Sequence, residues 1–201
     1  PRPARHRPQS RRPTEPAPPA RHLPQAARDW QAFSAGSGHP DGIIGQPLHG
    51  LRVPMPGPVG ETNLWSLEPR GSVLCLTGSE AAARRATGMA LATGNSVVLL
   101  AGPATAWTAD LPAALRPHIR TVPDIASLIA LVNPAPATIL AEPDAPGLSA
   151  ALRVLDDGPV VTCHILTPQG PLPEWLLEER LISTNTTAAG GNASLMTLDA
   201  S

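Results

Sequence analysis

Between residues 72 and 166, short apolar runs alternate with stretches of helical period. The runs at 72–77, 96–100, 119–122, 138–141 and 160–166 predict strands, the last reading as the most continuously buried of them. Residues 80–92 predict a helix with Ala82, Ala86, Met89 and Ala90 on one face, Ser79 as N-cap and Gly94 as the stop. Further helices are expected over 111–118, over 125–132 where Asn133-Pro134 ends the pattern, and over 148–155 where Asp157-Gly158-Pro159 breaks it. Strand-helix-strand units of this length predict an α/β fold, a parallel Rossmann-like sheet with helices on both faces.

Beyond this block the rhythm changes. Two β-prone runs, 181–186 and 193–198, bracket Gly190-Gly191-Asn192, residues that tolerate positive φ, and together they predict a β-hairpin or flap. Two isolated strands are marginal in water, so the flap needs another surface to lie on, which need not belong to this chain. Trp175, on a short helix started by Pro173, is a candidate apolar anchor. Upstream, Pro54, Pro56 and Pro58 predict an extended entry to the first strand. The expected division is a tail at 1–28, a linker at 29–53 with a short amphipathic piece around Trp30 and Phe33, a Rossmann-like domain at 54–172, and a C-terminal helix and flap at 173–201.

Composition changes this picture in two places. The tail holds eight Pro and seven Arg against the single acid Glu15, so it cannot bury enough surface to order itself and is expected to be disordered. Its formal charge of +6 leaves −7 on the rest, an asymmetry hidden by the net charge of −1. All 15 basic residues are Arg, which excludes a lysine nucleophile, a Schiff base and a phosphate-loop lysine. No methionine precedes Met55, as expected of a piece of a longer chain. With no apolar run of transmembrane length and no secretory pattern, the expected location is the cytoplasm, and Cys75 and Cys163 are expected to be buried, reduced thiols in strands.

Catalytic constellations do not assemble from the pattern. Cys163 and His164 are adjacent, and adjacent strand residues point to opposite faces. His6, His22, His39, His49, His118 and His164 lack metal-ligand spacing. Gly78 is a lone glycine after its strand, far short of a dinucleotide fingerprint, and Glu142 and Asp144 bring carboxylates to a position where phosphate would be repelled. Asp156-Asp157 reads as a helix-end turn and Glu178-Glu179 as a solvated helix face. No catalytic, cofactor-binding or metal residue is assigned.

Two stretches carry a resemblance. Glu179-Arg180, Ser183, Asn185-Thr186 and the run Ala188-Ala189-Gly190-Gly191-Asn192-Ala193-Ser194-Leu195 resemble the C-terminal motif of the bifunctional proline utilization A flavoenzymes, with Thr187 a departure from the usual Ala. Pro56-Gly57-Pro58, Gly60-Glu61, Asn63, Pro69-Arg70-Gly71 and Val73-Leu74-Cys75 resemble the start of the C-terminal domain in the longer members of that family. The intervening Ala90-Leu-Ala-Thr-Gly-Asn-Ser-Val-Val-Leu is similar to the cofactor domain of aldehyde dehydrogenases, but Leu100-Ala101-Gly102 stands where that pattern has Lys-Pro, and no Gly-Gln-x-Cys nucleophile loop is present.

The resemblance implies a degenerate, non-catalytic aldehyde-dehydrogenase-like domain. It would dock on the catalytic modules of the parent enzyme, in the same or a neighbouring chain, and lid the glutamate-semialdehyde dehydrogenase site and its substrate tunnel. FAD and NAD would belong to the parent's proline dehydrogenase and semialdehyde dehydrogenase, and this chain would bind neither. The partner-contact residues so implied are Asn185, Gly190, Gly191, Asn192, Ser194 and Trp175. Two rival readings are a free-standing nucleotide-binding oxidoreductase domain, which needs a phosphate-cradling loop, and a nucleic-acid-binding adaptor, which needs salt-dependent binding through the Arg-rich tail.

Overall fold

The structure is a computed structural model, and it describes residues 24–37, 50–58, 60–132, 135–156, 161–167 and 172–185. Its elements are α1 (Gln25–Ser37), β1 (Arg52–Met55), β2 (Glu61–Pro69), β3 (Ser72–Leu76), α2 (Glu80–Ala92), β4 (Ser96–Leu100), β5 (Ile119–Val122), α3 (Leu128–Leu131), β6 (Thr138–Ala141), α4 (Leu148–Asp156), β7 (Thr162–Ile165) and β8 (Leu177–Asn185). Five strands form one parallel sheet in the order β5-β4-β3-β6-β7, and three form an antiparallel sheet in the order β1-β2-β8.

The parallel sheet follows from the apolar runs. Strands β3 and β6 are buried along their whole length, as unbroken apolar strands between two helical layers should be. One layer joins α1, α2 and Trp107 to the sheet face of Val73, Cys75 and Leu140, while the other packs Leu128, Ala151 and Leu155 on the face of Leu74, Val98 and Ile139. Helix α2 begins where Ser79 accepts the Ala82 amide at 3.2 Å and stops at Gly94, whose φ of 84° suits glycine best.

Several expected elements take another form. Over 111–118 there is no α-helix. Pro112 and Pro117 interrupt it, and the chain makes 3-10 turns at Pro103–Asp110 and Arg116–His118. The helix expected over 125–132 shrinks to the single turn α3, because Asp124 first closes a turn on the amide and hydroxyl of Ser127 at 2.7 and 2.8 Å. The run at 160–166 is the sheet's edge strand rather than its most buried one, since β6 covers one side of it alone, and Cys163 and Ile165 are exposed. Cys163 is therefore not a buried thiol; Cys75 is, and both are free.

The largest differences lie at the two ends. The segment 54–69, expected as an extended entry, supplies the end of β1 and all of β2, and these two strands pair antiparallel from Arg52 opposite Ser66 to Met55 opposite Asn63. Helix α1 crosses the expected boundary at residue 28, with Ala26, Ala27 and Trp30 buried against α2. Trp30 lies so close to Gly88 that a methyl group there would come within 2.8 Å of the indole. Strand β8 begins before 181 and pairs with β2, so Glu178 and Glu179 stand on a strand and not on a helix face. The expected second limb at 193–198, like the tail at 1–23, lies outside the described residues.

Candidate functional site

Doubly wound sheets take their ligands where strand order reverses, outside the carboxyl ends of the strands. Here the chain moves from β3 to β4 and β5 on one side and returns to β6 and β7 on the other, so the crevice opens between Gly78, after β3, and Glu142, after β6. Gly78, Ser79, Glu142, Pro143, Asp144 and Ala145 line a hollow of about 300 Å³ there. It is closed at its base by the protein itself: Glu142 Oε2 accepts the Gly78 amide at 2.5 Å, and the Glu142 amide donates to the Leu76 carbonyl at 3.0 Å.

A dinucleotide does not fit this arrangement. A pyrophosphate draws on the amides at a helix N-terminus, but the Gly78 amide is taken by a carboxylate and the Ala82 amide by Ser79. An entering phosphate would meet Glu142 in the slot and Asp144 on the wall. The end of β4 also carries bonds within the chain itself. Thr105 donates its hydroxyl to the Leu100 carbonyl at 2.8 Å, and the Gly102 amide donates to the Thr105 oxygen at 3.1 Å.

Among the described residues the thiols have no base beside them. Cys75 sits in the central strand, and burial pushes its pKa up to about 12. Cys163 is raised by partial desolvation, and its neighbour His164 points to the other face of β7 and stacks on Trp175. Among the described residues no group of three or more His, Cys, Asp or Glu side chains could hold a metal ion.

Residues of the two stretches that carry the resemblance meet on the antiparallel sheet. Strand β2, which follows Gly60 and carries Glu61 and Asn63 at its start, pairs along its whole length with β8, which carries Glu179-Arg180, Ser183 and Asn185. Glu61 lies opposite Asn185 and Asn63 opposite Ser183. The Ser183 hydroxyl reaches Glu61 Oε1 at 2.8 Å and also contacts Asn63 Oδ1. One carboxylate and one amide from the first matched stretch thus meet a hydroxyl from the second, more than a hundred residues later. Beyond β2, the strand leaves Leu181 63% and Ile182 45% exposed.

Of the expected contact residues, Asn185 ends β8 and is exposed, while Trp175 is half-buried against the domain's own core. Gly190, Gly191, Asn192 and Ser194 lie outside the described residues. One positioning residue escaped the sequence reading. Asn95, fully buried, accepts the Gly71 amide at 2.9 Å and donates to the Leu176 carbonyl at 3.0 Å and to Thr93 Oγ1 at 2.9 Å. It ties the start of β3 and the end of α2 to the start of β8. A polar residue directly after a helix-stop glycine and before an apolar strand was the available signal.

No protein-family model matches the chain. Residue by residue, it is 34% identical over 165 residues to the bifunctional protein PutA of Rhizobium meliloti, a match covering 74% of this chain and 13% of that protein. It is 36% identical over 156 residues to the bifunctional protein PutA of Escherichia coli, covering 72% of this chain and 11% of that one. Among solved structures, a proline utilization A variant from Bradyrhizobium japonicum matches 71% of this chain and 15% of its own, at 24% identity and a TM-score of 0.45. An NAD-dependent benzaldehyde dehydrogenase from Corynebacterium glutamicum matches 59% of this chain and 28% of its own, at 19% identity and a TM-score of 0.41. No helix among the described residues is long and apolar enough to cross a membrane. The chain carries a PutA-like region, which spans 11–13% of the length of the curated PutA proteins that it matches.

Proposed function

We propose that this chain is a non-catalytic part of a cytoplasmic bifunctional enzyme that oxidises proline to glutamate. It docks on the catalytic modules, in the same or a neighbouring chain, and presents its C-terminal motif as a lid over the glutamate-semialdehyde dehydrogenase site and substrate tunnel. NAD and FAD belong to those modules and not to this sheet. The observation that carries the reading is the placement of β8: the strand leading into the motif is fixed on one edge by all nine residues of β2 and exposed on the rest of its surface. Among the described residues no second strand pairs with β8, and its apolar Leu181 and Ile182 are exposed, so the anchored strand keeps its direction while it can add to a neighbouring surface. The carboxylate in the switch-point crevice supports the non-catalytic half of the reading, because it competes with the anion that a dinucleotide would bring.

The test is deletion in the parent enzyme. Removing the segment that corresponds to residues 177–201 is expected to leave flavin-dependent proline oxidation intact and to abolish most NAD-dependent formation of glutamate. Unchanged coupled turnover after the deletion would contradict the lid.

A further inference from the structure

The strand that carries the motif leaves the parallel domain at one point. The 3-10 turn Pro173–Leu176 hands the chain to β8 there, and its Trp175 ring lies flat on the His164 imidazole of edge strand β7, centroids 4.8 Å apart and planes within 5°. The next carbonyl, that of Leu176, accepts the Arg70 amide at 3.2 Å and Asn95 Nδ2 at 3.0 Å. Among the described residues, His164 Nε2 and Arg70 Nε are both shut off from solvent without a hydrogen-bond partner. Buried polar atoms seldom stay in that state.

A neutral imidazole tolerates the arrangement, because Nε2 can be the nitrogen without a proton. An imidazolium carries N–H on both nitrogens, and Nε2–H would face no acceptor. Burial holds the His164 pKa below the ordinary value, and Arg70, the charged neighbour, adds like charge in the same direction. Among the described residues no other element brings a compensating acid. Strand β6, with Leu140 opposite His164, has no titratable group; Cys163 points the other way; and Glu174 is exposed. On α2, which packs on the same face, Glu80 pairs with Arg84 at 2.7 Å and Arg85 is exposed. The indole face attracts a cation, but it offers Nε2–H no acceptor.

We infer that the His164–Trp175 stack is a pH-sensitive latch at the base of β8. Neutral His164 holds the 3-10 turn and the first residues of β8 against the parallel sheet, and protonation opens the stack and loosens the strand. Its consequence for catalysis rests on the lid reading: an acidified enzyme would hold its lid less firmly.

Amide hydrogen exchange on the full chain tests the latch without reading any activity, so its failure is separate from that of the lid, which the deletion reads. Wild type, His164→Phe and His164→Gln are compared from about pH 7.5 to about pH 5.5, after correction for intrinsic exchange rates. Wild type is expected to lose protection over residues 172–180, by up to about tenfold per pH unit below the imidazole pKa. Either variant with native protection in β3 and β6 is expected to show pH-independent protection over 172–180. Equal loss in wild type and variants, or no loss in wild type, overturns the latch.

Discussion

The Gly78 amide donates to Glu142 Oε2 at 2.5 Å across the reversal point of the parallel sheet. Two strands that would open a ligand crevice between their ends are instead bridged by a side chain, and an acid stands where an anion would bind. Glu142→Ala removes this bridge. Hydrogen bonds to charged acceptors contribute about 1.5–3 kcal/mol and this one is exposed, so a loss near about 1 kcal/mol is expected. Urea unfolding of both proteins measures it, and an unchanged midpoint would show that the contact is incidental. Calorimetric titration of the wild type with NAD is expected to show no binding.

Asn95 is the polar hub of the junction. Its Nδ2 and Oδ1 satisfy three groups on three segments, two of them buried, so Asn95→Leu leaves the Gly71 amide and the Leu176 carbonyl each one partner short. A loss of about 2–4 kcal/mol is expected, with protection falling first at the start of β8. Hydrogen exchange measures the order of loss, and uniform destabilisation of the whole sheet would contradict the local role.

Much of this architecture could be read along the chain, and the misses share a cause. Residues 72–100 fold as their pattern dictates, down to Ser79 and Gly94, because unbroken apolar strands and a capped helix are specified locally. The antiparallel sheet could not be read in that way. Strand β8 finds its partner more than a hundred residues upstream, and nothing in 181–186 names β2 as that partner. Strand β7 looked buried because Val160, Val161 and Ile165 are apolar, whereas burial depends on how many neighbours the topology supplies. The two stretches that carry the resemblance, far apart in the chain, meet where Ser183 contacts Glu61 and Asn63.

Trp30 and Gly88 form a tight contact that holds α1 on α2. Trp30→Ala is expected to cost about 3–5 kcal/mol locally and to release α1 while the parallel sheet persists. Gly88→Leu should displace the same ring from the opposite side. Proteolysis near residue 37 would accelerate in both variants, and resistance equal to wild type would contradict the docking.

The Asp29 carboxyl is held below its ordinary pKa, chiefly by its hydrogen bond to His118 at 2.9 Å. A depressed acid contributes stability above its unfolded pKa and loses it as pH falls through the folded value. Helix α1 is therefore expected to loosen below about pH 4, and Asp29→Asn to flatten that dependence. Melting temperatures of the two proteins across this range check the sign, and parallel curves would remove the pair from the account.

Thiol reagents distinguish the two cysteines. Cys163, exposed on the edge strand, is expected to react slowly in the native protein, and Cys75, buried with its pKa pushed up to about 12, only on unfolding. Rapid native labelling of Cys75 would reopen the search for a nucleophile in the parallel sheet.

The most direct measurement is glutamate-semialdehyde oxidation with NAD, by this chain alone and by the upstream catalytic portion of the parent enzyme with and without it. The account predicts no turnover by the chain and recovery of activity when it is added to the truncated enzyme. Turnover by the chain alone, or a truncated enzyme indifferent to its addition, would contradict it.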